Sequence, residues 1–314
     1  MKIVLLEPIG IQPLLLNSFV DEFKENNHEL IVYQSRPANE SEIIQRSQNA
    51  DVIIISNLPI SKQVIDKCLN LKMISVAFTG VDHIPLSVCN ERKIVVSNAA
   101  GYSTHAVAEL TIGMAINLMR EIVWADNQTR DGKSREGFLG TELFGKTFGI
   151  IGFGQIGAEV AKLANAFGCK VLAYSRTKKN LKDVEFVVLD ELLSRSDIIS
   201  LHLPLTSETK NVVSKRELDL LKPSAILINT ARCPVVDYSA LYSALKENKI
   251  AAAALDIYEK EPPLDRNYPF FELPNVLLLP HIGYATKEAI GLRSEIVFEN
   301  IKKWMQGNPQ NVMN

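Results

Sequence analysis

Short apolar runs alternate with amphipathic stretches along almost the whole chain, and this alternation limits the possible folds more than any other feature. Most of the runs are continuous in Val, Ile and Leu, as in parallel strands that are covered on both faces. The pattern predicts an α/β fold in which two series of parallel strands alternate with helices. The predicted strands are Lys2–Leu6, Glu29–Tyr33, Asp51–Ser56, Met73–Phe78, Ile94–Ser97, Thr147–Gly152, Lys170–Tyr174, Phe186–Leu189, Asp197–Leu203, Ala225–Asn229, Ile250–Asp256 and Val276–Leu279.

Helices are predicted where apolar residues recur at spacings of three and four. The longest begins after Ser103 and ends at Asp131, because its apolar positions keep one broad face over that stretch. Shorter helices are predicted at Ser61–Leu69 and at Lys287–Trp304. The apolar positions of the long helix are Val107, Leu110, Thr111, Met114, Leu118 and Ile122.

Length and composition exclude several classes of protein. At 314 residues the chain exceeds the usual size of one domain, which predicts two. The formal net charge of -2 gives no electrostatic reason to expect a nucleic acid or an anionic membrane as a partner. No apolar stretch approaches the ~18 residues that a membrane-spanning helix needs. The four cysteines form no C-x-x-C pair, which predicts neither a metal site nor a disulfide framework and favours a cytoplasmic location.

Residues 149–157 read GIIGFGQIG and contain the pattern G-x-G-x-x-G, which follows an apolar strand and opens an amphipathic stretch. Gly152 permits a tight turn, Gly154 lets the backbone approach a pyrophosphate, and Gly157 lets the helix pack close to the strand. The pyrophosphate then lies at the helix N-terminus, where N–H groups and the dipole favour an anion. In this context the pattern predicts a dinucleotide site; the alternative is a glycine-rich turn without a ligand.

The end of the next strand indicates which dinucleotide the site takes. An acidic residue there, ~20 residues past the fingerprint, accepts from the adenosine ribose hydroxyls in NAD-binding proteins. Ser175 occupies that position here, and Arg176, Thr177, Lys178 and Lys179 follow it. No carboxylate is present to repel a 2′-phosphate, and a guanidinium is placed to pair with one. The sequence favours NADP(H) over NAD(H), with a merely solvated basic loop as the alternative.

Three segments of the second half carry an Arg, a Glu and a His in that order: Arg232, Glu261 and His281. With the fingerprint in the middle of the chain, these segments and three others resemble the D-isomer-specific 2-hydroxyacid dehydrogenases. The resemblance covers nearly the whole chain in the right order, so it is more specific than any single motif. The matching segments are 79–82, 106–109, 229–232, 254–262, 279–283 and 307–312.

The resemblance implies an architecture of two Rossmann-like, doubly wound parallel-sheet domains, in which a nucleotide-binding domain is inserted into a flavodoxin-like substrate domain. Residues 1–100 and 286–314 are expected to form the substrate-binding domain. Residues 101–285 are expected to form the NAD(P)-binding domain, which agrees with a fingerprint near residue 150. The resemblance also implies a homodimer with the helix after Ser103 at its interface.

The resemblance further implies reduction of a small 2-keto acid to the D-2-hydroxy acid, with the Arg, Glu and His as catalytic residues. His281 is expected to donate the proton, since imidazole titrates nearest neutral pH. Glu261 is expected to orient the ring and favour its protonated form. Arg232 is expected to hold the substrate carboxylate and polarise the carbonyl, because a forked guanidinium suits both.

Further contacts follow from the resemblance alone. The backbone of Phe78, Thr79, Gly80 and Val81 is expected to bind the substrate together with the catalytic Arg and His. Asp256 is expected to contact the nicotinamide carboxamide. The full set of expected cofactor contacts is Thr104, Gly152, Gly154, Gln155, Ile156, Gly157, Ser175, Arg176, Thr177, His202, Pro204, Thr209, Thr230, Ala231, Arg232, Asp256, His281 and Gly283.

Local pattern leaves alternatives open for each catalytic residue. His281 ends an apolar strand and, taken alone, fits a buried structural histidine. His202 fits the catalytic role equally well by local pattern, and only the resemblance prefers His281. Glu261 is also consistent with an ordinary loop carboxylate, and Arg232 with a structural ion pair.

Two residues depart from the family pattern. Cys233 stands where a Gly usually follows the catalytic Arg; if the position needs a positive φ, the side chain costs of order 1 kcal/mol or more. An adjusted local backbone avoids that cost. Tyr284 stands where a second Gly often follows the His-Ile-Gly sequence, so a phenol is expected at the edge of the active site.

The substrate is narrowed only by exclusion. Formate dehydrogenases of this fold carry Gln at the position of Glu261. Phosphoglycerate dehydrogenases commonly place an Arg after the third strand, where this chain has Ser56–Ile60 without one. A small uncharged side chain on the keto acid is therefore favoured. The resemblance makes glyoxylate and hydroxypyruvate the first candidates, because reductases for these often pair with NADPH and a similar Ser-Arg strand end. Pyruvate and bulkier 2-keto acids stay open. Phosphite oxidation and a dinucleotide-sensing role like that of the transcriptional corepressors of this fold are the alternatives.

Overall fold

The chain forms two compact units, Met1–Ser103 with Thr286–Asn314, and Thr104–Ala285. The structure is a computed structural model that describes residues 1–177 and 180–314. Lys178 and Lys179, which belong to the predicted basic loop, lie outside the described residues. We call the discontinuous unit the outer unit and the continuous one the inner unit.

The outer unit is a parallel sheet in the order β2-β1-β3-β4-β5, which is the flavodoxin-like order. The strands β3 and β4 are buried along their whole length, as their unbroken apolar sequence predicts. Its elements are β1 (Lys2–Leu5), α1 (Pro13–Glu25), β2 (Glu29–Val32), α2 (Glu40–Ser47), β3 (Val52–Ile55), α3 (Lys62–Lys67), β4 (Met73–Val76), α4 (Leu86–Glu91) and β5 (Val95–Ser97).

The inner unit is a second parallel sheet, whose strand order reverses at its first strand as in dinucleotide-binding folds. Its elements are α5 (Thr104–Arg120), α6 (Ile122–Arg130), β6 (Thr147–Ile151), α7 (Gln155–Ala166), β7 (Lys170–Tyr174), β8 (Glu185–Phe186), α8 (Leu189–Arg195), β9 (Ile198–Leu201), α9 (Lys215–Leu218), β10 (Ile226–Asn229), α10 (Tyr238–Lys246), β11 (Ala252–Leu255) and β12 (Val276–Leu278). The order across the sheet is β12-β11-β10-β9-β6-β7-β8.

The end of the chain completes the outer unit. Helix α11 (Lys287–Met305) packs Phe298 against Phe19 of α1, with ring centroids 4.1 Å apart. The last residues then pair with the edge strand β5, where Val312 forms an antiparallel bridge with Ser97. The Met313 N–H also donates to the Val96 carbonyl at 2.8 Å. The sequence suggested only a polar tail here, whereas these residues cover an exposed sheet edge.

The single long helix predicted after Ser103 is wrong in one respect, because the chain breaks between α5 and α6. Glu121 adopts a left-handed backbone conformation with φ 45, which ends the first helix and redirects the second. The side chain of Asn117 accepts from the Val123 N–H at 3.1 Å, so an amide released by the break is satisfied. Ile122, expected on the buried stripe, is 50% exposed.

Several predicted strands extend too far at their carboxyl ends. Four residues that were predicted to end strands lie in the loops that follow: Phe78, Gly152, Leu203 and Asp256. Leu189 was also predicted in a strand and instead begins α8. Apolar or small residues continue past the last ladder bond at these points, so hydrophobicity alone does not mark where a strand ends.

Two aspartates occupy equivalent positions in the two sheets. Asp51, just before β3, accepts from the Lys2 N–H at 2.9 Å and pairs with Lys72 at 2.8 Å. Asp197, just before β9, accepts from the Thr147 N–H at 2.8 Å and pairs with Lys222 at 2.8 Å. Partial burial opposes the charged forms, but the lysines and amides outweigh it and lower the pKa of both carboxyl groups.

We therefore expect Asp197→Asn to destabilise the protein at pH 7 by about 1 kcal/mol or more, measured by urea unfolding. Because the folded-state pKa of Asp197 is lowered, its contribution is complete above the unfolded-state pKa and is lost as pH falls through the folded-state value. The difference in free energy of unfolding between the wild-type protein and Asp197→Asn should therefore become smaller at acidic pH. Asp126→Asn, which removes an exposed pair with Arg130, is the matched control. Equal stabilities of the two variants at pH 7 would contradict the prediction.

Candidate active site

The glycine fingerprint forms the tight turn from β6 into α7. Gly152 has φ +98, and a Cβ on it would lie 2.5 Å from the His202 carbonyl oxygen. A Cβ on Gly157 would lie 2.1 Å from the Gly152 carbonyl oxygen. Both positions therefore require glycine, the first for conformation and close approach, the second for packing of the helix on the turn.

The N-terminus of α7 has the features of an anion site. Gly154 is its N-cap, and a Cβ there would meet nothing within 4 Å. Within residues 1–177 and 180–314, no side chain caps this end and its first turn contains no acidic residue. Its N–H groups and the positive end of the helix dipole are thus available to an anion, and the residues fit the pyrophosphate of a dinucleotide.

The residues expected at the adenosine ribose follow β7. Ser175 is half-buried, and Thr177 is exposed. The Arg176 side chain is 93% exposed, and its Nη1 lies 3.9 Å from Oε2 of Glu208. A pair this exposed and this long contributes little energy, so the guanidinium can exchange partners readily.

His202 lies in the loop after β9, beside the fingerprint turn. Its Nε2 lies 3.0 Å from the Ser200 hydroxyl, and burial of the ring lowers the pKa of His202 to about 3. At that pKa the imidazole is neutral at physiological pH. Farther along the loop, Thr209 donates from its hydroxyl to the Pro204 carbonyl at 2.6 Å and closes a turn.

Arg232 lies at the carboxyl end of β10. Its backbone is extended, with φ -150, and its Nη1 donates to the Ala231 carbonyl at 2.8 Å. The neighbouring Thr230 Oγ1 is buried, and among the described residues it has no hydrogen-bond partner. A buried hydroxyl without a partner is costly, and a ligand that hydrogen-bonds to it would remove the cost. This observation also fits a bound cofactor.

Cys233 does not carry the strain considered for it. It begins a short 3₁₀ turn, Cys233–Val235, and it is not among the residues with positive φ. The local backbone has adjusted to the side chain. The thiol is 4% exposed, and burial raises its pKa to about 12, so Cys233 is an inert packing group rather than a nucleophile.

Asp256, at the carboxyl end of β11, is 1% exposed and binds backbone. Its Oδ1 accepts from the Ile282 N–H at 2.8 Å, and its Oδ2 accepts from the Gly283 N–H at 2.7 Å. Burial raises the pKa of this carboxyl group, and the two amides act in the opposite direction. The carboxylate thus holds the turn after β12, a role that the sequence analysis did not assign to it.

His281, on that turn, forms a hydrogen-bonded pair with Glu261, which lies in the loop after β11. The His281 Nδ1 lies 2.9 Å from each Glu261 carboxylate oxygen. The histidine side chain is 15% exposed and that of the glutamate is 60% exposed. His281 has a left-handed backbone with φ 57, a conformation that costs about 1 kcal/mol or more in a residue with a side chain. The ring of Tyr284 packs edge-on against the imidazole, with centroids 5.3 Å apart.

An aromatic cluster ties the loop of Glu261 to the strand ends. Tyr258 donates from its hydroxyl to the Leu279 carbonyl at 2.8 Å, which joins the loop after β11 to the end of β12. Its ring packs edge-on against Tyr268, whose hydroxyl donates to the Glu259 carboxylate at 3.2 Å. The sequence analysis missed these tyrosines. Their clustering in 258–268 is a signal, but their contacts depend on the fold.

The three expected catalytic residues follow β10, β11 and β12, which are neighbours in the inner sheet. Because all three strands are parallel, the segments leave the same edge of the sheet, as does the fingerprint turn. In the outer unit, the loop 78–81 follows β4. There the Phe78 carbonyl accepts from the Ala99 N–H at 3.0 Å and the Thr79 carbonyl from Asn98 Nδ2 at 2.7 Å. Thr104 is half-buried and begins α5.

Comparison with known proteins agrees with this geometry. Residues 112–283 match the family described as D-isomer specific 2-hydroxyacid dehydrogenase, NAD binding domain. The glyoxylate reductase of Thermococcus litoralis is 42% identical over 282 residues, which cover 86% of this chain and 84% of that protein. The D-3-phosphoglycerate dehydrogenase of Methanocaldococcus jannaschii is 41% identical over 281 residues, 87% of this chain. The chain spans about half, 53%, of that dehydrogenase's length.

Among solved structures, an acyclic imino acid reductase in complex with NADPH and D-Arg is similar over 100% of both chains. Its TM-score is 0.92 and its sequence identity is 35%. The fold and the fingerprint turn define a dinucleotide-binding protein. The chain belongs to the D-isomer-specific 2-hydroxyacid dehydrogenase family, whose members act on CH–OH groups with a nicotinamide cofactor. The predicted family and the predicted fold of two parallel-sheet domains are confirmed.

Proposed function

We propose that the protein reduces a small 2-keto acid to the D-2-hydroxy acid, with Arg232, Glu261 and His281 as its catalytic residues. The observation that carries the proposal is the bidentate approach of the Glu261 carboxylate to Nδ1 of His281, at 2.9 Å for both oxygens. A carboxylate at this distance stabilises a positive charge on the ring, which a proton donor needs. The same arrangement fixes the orientation of the imidazole.

The N-terminus of α7 and the Thr230 hydroxyl would hold a nicotinamide dinucleotide, which would supply the hydride when bound. The proton comes from Nε2 of His281, the ring nitrogen opposite Glu261, and goes to the keto oxygen as that oxygen gains negative charge. One hydride at the keto carbon and one proton at its oxygen complete the hydroxy acid. The imidazole is then neutral and takes up a proton from solvent before the next cycle.

Arg232 is proposed to bind the substrate carboxylate and to polarise the carbonyl. A guanidinium presents several N–H donors in one plane and binds carboxylates in a forked geometry that an ammonium does not provide. The second histidine, His202, is excluded from proton donation by the pKa of about 3 that its burial produces. Binding of the carboxylate by the backbone of 78–81 stays a prediction.

Glyoxylate and hydroxypyruvate are the proposed substrates. The proposal is supported by the resemblance to the Thermococcus litoralis glyoxylate reductase and by the lack of a cation in the segment 56–60 that follows β3. Phosphite oxidation and a purely dinucleotide-sensing role stay as alternatives from the sequence. Turnover assays separate all three.

A keto acid with a second, distal anionic group is a further candidate, because a cation reaches the loop after β3 from elsewhere in the outer unit. Arg36, in the loop after β2, donates from Nη1 to Asn57 Oδ1 at 2.6 Å. It also pairs with the buried Glu7 at 3.2 Å, and its side chain remains 49% exposed. The lack of a cation after β3 therefore does not by itself exclude a phosphorylated substrate.

NADP(H) is the proposed cofactor, on the strength of Ser175 and Arg176. The half-buried serine brings no charge to the ribose position, and the exposed guanidinium is placed to bind a 2′-phosphate. Glu208 is the competing partner of Arg176. Its carboxylate is expected to weaken the preference rather than abolish it, because the pair is exposed.

A homodimer is proposed from the apolar surface around α6. Every residue of this helix is exposed or half-buried, including Ile122 at 50%, Val123 at 54% and Trp124 at 38%. The Trp124 ring contacts Phe138, with centroids 5.2 Å apart, and the nearby Leu139 is 89% exposed. Clustered apolar side chains on a surface indicate a protein interface.

A cytoplasmic location is also proposed. It is supported by the four cysteines, all of which are buried as free thiols.

The activity is tested by following NADPH and NADH oxidation with glyoxylate, hydroxypyruvate, pyruvate, oxaloacetate and phosphohydroxypyruvate, and by assaying phosphite oxidation with NAD(P)⁺. We expect turnover of the first two, and a loss of about 10³-fold or more in kcat for His281→Ala. His202→Ala should change kcat far less. Tight dinucleotide binding without any turnover would refute the proposed activity. Preference for the doubly anionic acids, removed by Arg36→Met, would establish the second candidate.

For the cofactor, Arg176→Ala should raise KM for NADPH by about tenfold and leave KM for NADH nearly unchanged, since only NADPH carries the 2′-phosphate. Glu208→Gln should act in the opposite direction and lower KM for NADPH. Lys210→Ala, in the same loop as Glu208 but without an assigned role, is the control. Equal effects of Arg176→Ala on the two cofactors would contradict the NADP(H) proposal.

For the oligomeric state, we expect the mass of a dimer in light scattering after size-exclusion chromatography. Replacing Val123 and Trp124 with Glu should shift the protein to a monomer, because burial of charge at an interface is unfavourable. A double Glu variant at Leu14 and Leu69, which are exposed in the outer unit at 85% and 79%, is the control. A wild-type monomer at micromolar concentration would overturn the proposal.

A further inference from the structure

A buried hydroxyl lies between the loop of Arg232 and the loop of Glu261. It belongs to Tyr238, the first residue of α10, whose side chain is 6% exposed. The hydroxyl donates to the Ile257 carbonyl at 2.9 Å and accepts from Asn229 Nδ2 at 3.3 Å. Ile257 lies four residues before Glu261, so this one group joins the end of β10 to the loop of Glu261.

Asn229 extends the contact to the backbone of Arg232. The residue is fully buried at the end of β10, and its Nδ2 also donates to the Arg232 carbonyl at 3.1 Å. Its Oδ1 accepts from the Ala231 N–H at 3.1 Å. The side-chain amide therefore binds the backbone just before and just after the peptide bond that joins Ala231 to Arg232. Together with the Tyr238 hydroxyl it forms a continuous path from Arg232 to Ile257.

The chemistry of Tyr238 suits this position. Burial raises the pKa of the phenol, so the hydroxyl stays protonated and keeps its donor function. The ring packs edge-on against Phe270, with centroids 5.6 Å apart, which fixes the direction of the hydroxyl. Without that hydroxyl, the buried Ile257 carbonyl would lose a donor and Asn229 would lose an acceptor. Both losses fall on the two loops that carry the proposed catalytic residues.

We propose that Tyr238 and Asn229 are positioning residues, which set the place of Arg232 relative to the loop of Glu261. The inference rests on the proposed function, in which Arg232 binds the substrate carboxylate. Loss of the network should mainly weaken binding of the keto acid. The fingerprint turn follows β6, which β9 separates from β10, so the pyrophosphate site should be unaffected. Thr230 lies within the positioned segment, so the affinity for the dinucleotide should fall, but less than the affinity for the keto acid.

The test is Tyr238→Phe, which keeps the ring and removes only the hydroxyl. We expect KM for glyoxylate to rise by about fivefold to tenfold, with kcat within about threefold and the dissociation constant for NADPH changed by about twofold or less. Tyr242→Phe is the matched control, since Tyr242 lies on the same helix and packs on the same Phe270. Its hydroxyl bonds with Glu272 and Lys246, away from both loops. An unchanged KM in Tyr238→Phe would overturn the proposal.

A double-mutant cycle separates positioning from general destabilisation. In an Arg232→Lys background, Tyr238→Phe should add little to the loss of kcat/KM, because the group that it positions is already altered. Full additivity would show that Tyr238 acts independently of Arg232 and would refute the inference. Tm, recorded for every variant, shows whether each remains folded.

Hydrogen exchange tests the same network without turnover. We expect faster amide exchange at 229–236 and 256–261 in Tyr238→Phe, but not in Tyr242→Phe. Unchanged exchange in both segments would overturn the positioning role whatever the substrate is. Failure of the proposed function has a different signature, which is no turnover of any keto acid by the wild-type protein.

Discussion

The proposed catalytic end of the inner unit depends on one buried carboxylate, that of Asp256. Its two oxygens bind the consecutive amides of Ile282 and Gly283 and thereby hold the turn that contains His281. His281 is in the left-handed region, which an ordinary side chain adopts only where its surroundings compensate for the strain. The charge-assisted bonds to Asp256 supply that compensation. The direction of the imidazole toward Glu261 is therefore a consequence of the carboxylate beneath it.

The parallel sheet explains how distant segments come to share this edge. Parallel strands all end on the same side, and ligands of such sheets bind at that side where the strand order reverses. In the inner unit, the strands before Arg232, Asp256 and His281 are neighbours, and β6 leads into the fingerprint turn. The sheet needs only apolar strands to form. The loops beyond it are then free to carry buried tyrosines and carboxylates that connect one strand end to the next.

Features set by local sequence could be predicted, and features set by distant contacts could not. Continuous apolar runs revealed both sheets, and the spacing of Gly152, Gly154 and Gly157 revealed the turn. Gly152 has the positive φ of that turn, and Gly157 meets a steric demand close by in the chain. Two features were missed. The break at Glu121 accompanies a loss of burial in the helix that follows. The pairing of residues 311–314 with β5 depends on residues far away in sequence. The contact between Arg36 and the loop after β3 was also missed, because it joins residues that are distant in sequence.

The two histidines show where sequence reasoning needs the structure. By local pattern His202 and His281 are equivalent, since each follows an apolar strand of the same sheet. Their hydrogen-bond partners differ: His202 has a neutral hydroxyl as its neighbour, whereas His281 has a carboxylate. The neutral partner of His202 does not oppose the effect of desolvation, which lowers the pKa of that ring. The carboxylate of Glu261 fixes the orientation of the His281 ring. The capacity to donate a proton therefore resides in the partner as much as in the imidazole.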